Sequence, residues 1–573
     1  NWSSWEESES VLRKFLGARG LNQYYLYQLL SPKDLPLDQK NYVLFGSGLL
    51  VGTKAPGATR INIDSKNLFS NGVGSNNAGG YFAVALKSSG YGNLRITGKS
   101  EIPVYLLIID GKVSIENAQE IWGKTTSQTV ETLEKKYGKD IHVACIGPAG
   151  ENLVRGSCVI IDKSRAAAKC GMGAIMGSKK IKAIVVRGKN IPKVFDENRF
   201  SNLYKKAWEK VINSDTAKRL SKWGAKSAVK AKNKVCSVPY KHFQDGHVDD
   251  LTGFDEKAFL KYEVKRFGIK GCPISCRQIY HITDGPYAGT IGEAVESNTV
   301  QDFGVKLDIR DSATIIKAHI MCNEYGMDID TVAESVAWAY ECYDRGLINK
   351  SDTDGLELYW GNCQALITLI DKIAARKGFG NILAEGVVRA SKIIGRGTSK
   401  YAMAMKGQDL YEDLRMPKGW ALGTALATRG GGHCSGAPIV EFAAGKSSAE
   451  ILSPQLAEKL YGVSTATDPS AYEGKAKLVA YHEKLHAVLN SIGICFFNSI
   501  WEGYKLLNEE DIAGLISAAT GWNLDKHELL EIGERIHTLE RMFNKKHAGF
   551  DRKDDYPPER FLTEKVKSGP YKG

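Results

Sequence analysis

Apolar positions in about the first 190 residues fall in short runs and alternations separated by glycine-rich breaks, a pattern that predicts strands. YVLFGSG (42–48), TRINIDS (59–65), GNLRITGKS (92–100), VYLLIIDGKVSI (104–115), HVACIGPAG (142–150), SCVIID (157–162) and KAIVVRGK (182–189) all read this way. From about Asn198 the spacing changes to that of helix faces. RDSATIIKAHIMCNEYG (310–326), TVAESVAWAYECYDRGLI (331–348) and QALITLIDKIAARKG (364–378) carry apolar side chains at helical intervals. A third segment, from about Met405, adds another glycine-rich patch and helices such as KHELLEIGERIHTLERMF (526–543). The expected class is α+β, with a large sheet-rich N-terminal domain (1–197) followed by two mainly helical domains (198–404 and 405–573).

Size and charge narrow this picture. A chain of 573 residues, 43% of them apolar, has the bulk for roughly three or four domains. The longest apolar pieces, YLLIID (105–110) and IKAIVV (181–186), have strand length, and no stretch reaches the about 18 residues of a membrane span. Eleven cysteines are too few for a disulfide scaffold and odd in number, which points to a reducing cytoplasm. Asn1 is an improbable natural start, so a trimmed front, with any export signal lost, is expected. The net charge of +12 is dispersed, and a polyphosphate cofactor or an acidic partner accounts for it as well as nucleic acid does. Nucleic acid is not among the expected partners.

Three glycine clusters stand out: GSNNAGGYF (74–82), KCGMGAIMGSKKIKAI (169–184) and TRGGGHCSG (428–436). Without a side chain, backbone N–H groups converge on an anion or a flat ring lies close to the main chain. None matches a phosphate loop or a dinucleotide fingerprint. Each alone reads as a tight turn or close helix packing; three together, beside Arg60, Lys179, Lys180 and Arg429 and the hydrogen-bonding Ser75, Asn76, Asn77 and Ser178, suggest a large polar cofactor. In FGIKGCPISCRQ (267–278), Cys272 and Cys276 flank a proline turn, too far apart for a CxxC redox pair. Their soft thiolates suit an iron–sulfur cluster, with Cys495 of NSIGICFFN a third candidate; turn cysteines are the plain reading. HEKLH (482–486) fits HExxH and opens a metalloprotease alternative.

These segments together resemble the tungsten-containing aldehyde:ferredoxin oxidoreductase family. The likeness is carried by LRKFLGARGL (12–21), GSGLLVGTKAPGATR (46–60), SNNAGGYFAVALKSSGYGNLRITGKS (75–100), GMGAIMGSKKIKAI (171–184), GCPISC (271–276), NEYGMDI (323–329), GFGNILAEGVVRAS (378–391), GWALGTALATRGGGHC (419–434) and NSIGICFF (490–497), in the family's order. The resemblance implies a sheet-rich base for a bis-molybdopterin cofactor sharing one tungsten, or molybdenum, with magnesium bridging the pterin phosphates and helical domains closing above. It also implies a [4Fe-4S] cluster held by Cys-x-x-Cys-x-x-x-Cys and a distant cysteine. Here the last three positions are Cys272, Cys276 and Cys495, whereas the first is Ile269, and Cys236 is the expected substitute thiol. The family's two Asp-x-x-Gly-Leu-Asp/Cys motifs become NEYGMD and NSIGIC, with Asn323 and Asn490 in place of aspartate.

What the likeness implies about sites follows residue by residue. Pterin contacts are expected from Arg60, Gly74, Ser75, Asn76, Asn77, Gly79, Gly80, Gly173, Gly177, Ser178 and Lys179. Further contacts are expected from Asn323, Gly326, Asp328, Arg429, Gly430, Asn490, Gly493 and Ile494. Glu293 or Glu296, on one face of a helix, and His433 are expected to serve as carboxylate and imidazole in aldehyde oxidation, with His281, His482 and His486 weaker. Expected partners are ferredoxin or an iron–sulfur subunit and a small aldehyde or aromatic substrate, in an oligomer. Alternatives are an aromatic acyl-CoA reductase and a noncatalytic metallopterin-binding or electron-transfer subunit. A basic groove for coenzyme A would mark the first; a blocked substrate side would mark the second.

Overall fold

A computed structural model describes residues 2–442 and 452–573. Ten strands build the N-terminal region. β1 (Val43–Ser47), β2 (Ile61–Lys66), β3 (Val73–Ala78) and β4 (Asn93–Ile96) form an antiparallel sheet in the order β3-β2-β1-β4. β5 (Val104–Ile109), β6 (Lys112–Asn117), β7 (His142–Cys145), β8 (Val159–Ile161), β9 (Arg165–Ala167) and β10 (Ile181–Arg187) form the second, ordered β6-β5-β10-β7-β8-β9, in which β10 runs parallel only to β5. IKAIVV is central and buried on both faces, which is why it is almost wholly apolar, whereas β6 lies at the edge and none of its residues is fully buried. Phe45, Ile63, Phe82, Ile161, Met172 and Ile184 share the core these strands enclose.

Helices Ser312–Tyr325, Ile329–Asp344 and Cys363–Ala374 surround a second core around Trp338 and Tyr340. A third core joins helices Lys418–Leu426, Lys475–Ile492, Glu509–Thr520 and Lys526–Ala548. Helices Glu197–Ile212 and Asp215–Trp223 bury Phe200, Val211 and Leu220 in this third core, so the chain visits it before building the second. The middle region is not purely helical. β11 (Glu263–Phe267), β12 (Arg277–His281) and β13 (Ile291–Glu293) make a small antiparallel sheet, and the Cys272–Cys276 turn is the connection between β11 and β12. No helix among the described residues is long and apolar enough to cross a membrane.

Two latches join the helical regions to the sheet base. Helix Ser312–Tyr325 ends at Gly326 and helix Lys475–Ile492 at Gly493, both left-handed (φ 71° and 82°). Beyond the first, Met327 bridges Ser157, with hydrogen bonds from Cys158 N to Gly326 O (2.8 Å) and Asp328 N to Gly156 O (2.8 Å). Beyond the second, Ile494 bridges Ala58, with Arg60 N to Gly493 O (3.1 Å) and Cys495 N to Gly57 O (3.0 Å). Backbones touch at both places: a Cβ on Gly48 would lie 2.2 Å from Gly493 N, and one on Gly326 would lie 2.6 Å from Gly147 N.

Gly493→Ala should therefore lower unfolding stability by about 2–4 kcal/mol, since the new methyl adds left-handed strain and lies 2.3 Å from Val51. A denaturant midpoint unchanged from the parent protein would contradict the latch.

Candidate active site

The latches bring the tips of β2 and β3 under the helical regions and leave two adjoining cavities, each of about 270 Å3. Arg60, Asn77, Glu296, Phe496 and Phe497 line both, so the two are lobes of one site. The floor of the first lobe is polar: Arg60 stands just before β2, Asn62 lies on β2 and Ser75 and Asn77 on β3, with Lys169, Arg429 and Asn490 around them. Arg60 donates to the Asn77 carbonyl (3.2 Å) and amide oxygen, and Arg429 donates to Ser75 O (2.9 Å). The Arg429 Nε and Asn490 Oδ1 are buried without a partner among the described residues. Buried polar atoms cost free energy unless something meets them, so this floor fits a polar, multiply anionic cofactor.

The other wall of that lobe is aromatic. His433 stacks on Trp420 (centroids 5.1 Å apart, 20° between planes) and lies 6.5 Å from Trp501 and 5.4 Å from Tyr411. Its Nδ1 is 3.1 Å from the Glu412 carboxylate, which is fully buried and also paired with Lys232. Burial alone lowers an imidazole pKa; the adjacent Cys434 and Glu412 more than offset it and push His433 up to about 10. The same contact brings the Cys434 thiol below its ordinary value despite burial.

Thiols line the second lobe. Cys272, Cys276 and Cys495 face it together with Ile269. Asn498 Nδ2 donates to Cys272 Sγ (3.7 Å) and Arg60 Nη1 to Cys495 Sγ (3.8 Å). Burial raises the Cys272 thiol to about 11, with Cys495 adding to it, and raises Cys276 further still. No three His, Cys, Asp or Glu side chains among the described residues converge as they would on a single ion. Thiols spread around a cavity suit a polynuclear iron–sulfur cluster, in which each thiolate meets a different iron.

The two glutamates are not on one helix face. Glu293 ends β13, and Glu296 caps the short helix Ser297–Thr299. Arg165 bridges them, reaching Glu296 at 2.8 Å and contacting Glu293, which Arg277 (2.5 Å) and Ser164 (2.7 Å) also hold. Burial raises the Glu293 pKa, but Arg165 and Arg277 dominate and bring it down to about 2. Glu293 is thus a clamped anion, whereas Glu296 faces both lobes.

Several expected contacts lie elsewhere. Cys236 is buried under the C-terminal tail with Sγ 3.7 Å from Ser568 O, away from the three clustered thiols. The Lys179 ammonium donates to the carbonyls of Asp38, Gln39 and Gly98, that of Lys180 to Glu101 O, and the Ser178 hydroxyl to Ile175 O of its own helix. Gly173 and Gly177 pack helix Met172–Ser178 against Cys158 and Gly150, so the second glycine cluster is close packing. Gly74 packs on Ser65 O and Met172, and Gly430 on Met405 O. Asn76 lies behind the floor, its amide on Lys169 O. Gly326, Gly493 and the fully buried Ile494 act in the latches. Gly79, Gly80, Asn323 and Asp328 line the second lobe.

The HEKLH histidines are both buried on helix Lys475–Ile492, His486 donating to Cys434 O (3.1 Å) and His482 near the Tyr461 hydroxyl (3.4 Å). Without a third converging ligand they make no zinc site among the described residues. Glu412, Lys232 and Arg165 carry no local signal in the sequence, because each acts through a partner distant in the chain, whereas Cys434 adjoins its partner His433.

A deep site with a polar, cation-studded floor, an aromatic wall around an imidazolium and a set of clustered thiols defines a cofactor-dependent redox enzyme. The sequence matches the family models for the aldehyde ferredoxin oxidoreductase N-terminal domain (residues 1–188) and its domains 2 and 3 (residues 202–573). The chain belongs to the aldehyde ferredoxin oxidoreductase family. It is 35% identical to the tungsten-containing aldehyde ferredoxin oxidoreductase of Pyrococcus furiosus, over 99% of this chain and 90% of that protein. The aliphatic sulfonate oxidoreductase WOR-like subunit of Pyrococcus furiosus is 30% identical, over 99% of this chain and 88% of that one. The fold is also that of the active-site complex BamBC of benzoyl coenzyme A reductase solved with 1,5-dienoyl-CoA: TM-score 0.80, 23% identity, covering 97% of this chain and 88% of that chain.

Glu293 has a measurable signature. Because its folded pKa of about 2 lies below the ordinary glutamate value of 4.5, its stabilising contribution is complete above about pH 4.5 and is lost as pH falls towards 2. Glu293→Gln should remove this acid-limb dependence, which is on the order of 3 kcal/mol; identical stability–pH curves would contradict the clamp.

Proposed function

We propose that the chain is a tungstopterin oxidoreductase that converts an aldehyde to a carboxylic acid and passes the electrons to ferredoxin or an iron–sulfur partner. The observation that carries this reading is the continuity of the two lobes, which share Arg60, Asn77 and Glu296. Full-length similarity to tungsten-containing aldehyde ferredoxin oxidoreductases supports it.

The overall conversion is RCHO + H2O to RCOOH + 2 H+ + 2 e−. When bound over Arg60, Asn77, Arg429 and Asn490, the tungstopterin supplies the two-electron sink. Cys272, Cys276 and Cys495 would hold an iron–sulfur cluster that exchanges single electrons with the partner. His433 enters protonated at neutral pH, because its pKa is raised to about 10, and donates a hydrogen bond to the aldehyde oxygen as charge builds there. Glu412 and Lys232 hold that imidazolium in place from behind. Glu296, which faces both lobes, accepts the proton released from water. Trp420, Trp501 and Phe496 exclude bulk water and offer an apolar seat for the substrate's side chain.

The test is metal quantitation of the holoenzyme with aldehyde-dependent reduction of a viologen dye. About one tungsten per chain and turnover of an aldehyde are expected. Absence of a metallopterin, or reduction of an aryl-CoA thioester without aldehyde oxidation, would overturn the assignment.

The pH profile tests the imidazolium. Glu412→Gln removes one of the two groups, Cys434 and Glu412, that favour protonated His433, so the alkaline limb of kcat should move from near pH 10 to lower pH by roughly one to two units. A limb that stays in place would exclude His433 as the acid.

A further inference from the structure

We infer that the thiol lobe holds its iron–sulfur cluster through three thiolates only, with one iron left without a protein ligand and therefore removable by oxidation. The inference rests on the cluster being present, as proposed above.

Ile269 lines the lobe with Cys272, Cys276 and Cys495. It is tied to the cysteine turn by the Cys272 N–H, which donates to Ile269 O at 3.0 Å. A branched alkyl chain thus stands where a fourth donor would stand, and it has no atom that binds iron. The carboxylates that line the lobe are committed elsewhere, and the imidazole that lines it is engaged at Nδ1. Glu293 is held by Arg165, Arg277 and Ser164. His319 accepts at Nδ1 from Val295 N (3.2 Å) and the Thr299 hydroxyl (2.7 Å). Asp328 caps helix Ile329–Asp344 through Asp330 N (3.2 Å) and takes the Thr331 hydroxyl (2.7 Å). Glu296 is paired with Arg165 and caps its own helix. Cys236, the one further thiol that sequence suggests, packs against the C-terminal tail at Ser568.

A cubane held by Cys272, Cys276 and Cys495 would have its fourth iron open to a small ligand from solvent, since Ile269, which shares the lobe with them, offers no donor. Ile269 is half-buried, so that corner lies near the protein surface. With an outer-sphere oxidant such as ferricyanide, the balanced step is [4Fe-4S]2+ to [3Fe-4S]+ + Fe2+ + e−, the electron passing to the oxidant. The three remaining irons keep their thiolates. The lobe then holds a cluster whose iron content follows the redox condition, a property that four protein thiolates would suppress.

The experiment compares the holoenzyme with Ile269→Cys, both purified anaerobically and reconstituted with iron and sulfide. On ferricyanide titration the parent protein should lose one iron per chain and develop the near-isotropic EPR signal of a three-iron cluster, reversed by ferrous iron and dithionite. Ile269→Cys should retain its iron under the same titration. Retention of four irons in the parent, with no three-iron signal, would overturn the inference while leaving the proposed function intact. A tungsten-containing protein that takes up no iron at all would instead refute the cluster itself. The parent measurement stands alone if the variant fails to fold.

Discussion

The backbone-to-backbone contact at Gly48–Gly493 and its counterpart at Gly147–Gly326 is the constraint on which the site depends. Each places a helix C-terminus directly on the sheet base, at separations that leave no room for a Cβ. The residues on either side of each contact are thereby located. Asn490 and Cys495 flank Gly493; Asn323 and Asp328 flank Gly326; Arg60 follows the bridge on the sheet side. Two NxxGxx motifs from different helical regions meet the base in the same way, one edge serving the first lobe and both contributing to the second. A hydrogen-bonded latch with no intervening side chains gives less freedom than packed side chains would, which is what positioning groups around a rigid cofactor requires.

Charge within this frame is arranged in fixed pairs. Arg165 holds Glu293 and reaches Glu296, joining β9 to the end of β13. Arg19 from the second N-terminal helix is bidentate to Glu540 (2.7 Å and 2.7 Å), which also accepts from Thr428 beside the third glycine cluster. Lys169 joins Asp409 and Asp330 beneath the floor. Buried ions are tolerated because each has its partner, and removing either member would strand the other in a medium of low dielectric. The pairs act as rigid supports, and two of them, Arg165–Glu296 and Glu412–His433, also present a titratable group to the first lobe.

Glycine composition alone did not separate these roles. GSNNAGGYF and TRGGGHCSG place Asn77, Gly79, Gly80, Arg429 and His433 at the cavities, whereas KCGMGAIMGSKK folds into a helix that needs Gly173 and Gly177 to approach Cys158 and Gly150. The two kinds of cluster read alike because absence of a side chain serves ligand access and helix packing equally. Lysine shows the same ambiguity: Lys179 and Lys180 look like phosphate ligands but bind backbone carbonyls.

Local pattern determined the strand-rich first third, the helices that follow and the three thiols, because hydrophobic period and thiolate chemistry are properties of neighbouring residues. The family likeness of ordered motifs added the expectation of a cofactor and a cluster, and exposed Ile269 as a departure. Tertiary structure alone decided that Cys236 stands apart, that Glu293 is clamped by two arginines while Glu296 faces both lobes, and that Glu412 reaches His433. Those outcomes turn on distances between residues far apart in the chain. Coulombic and desolvation energies depend on separation and burial in space, which one sequence does not specify.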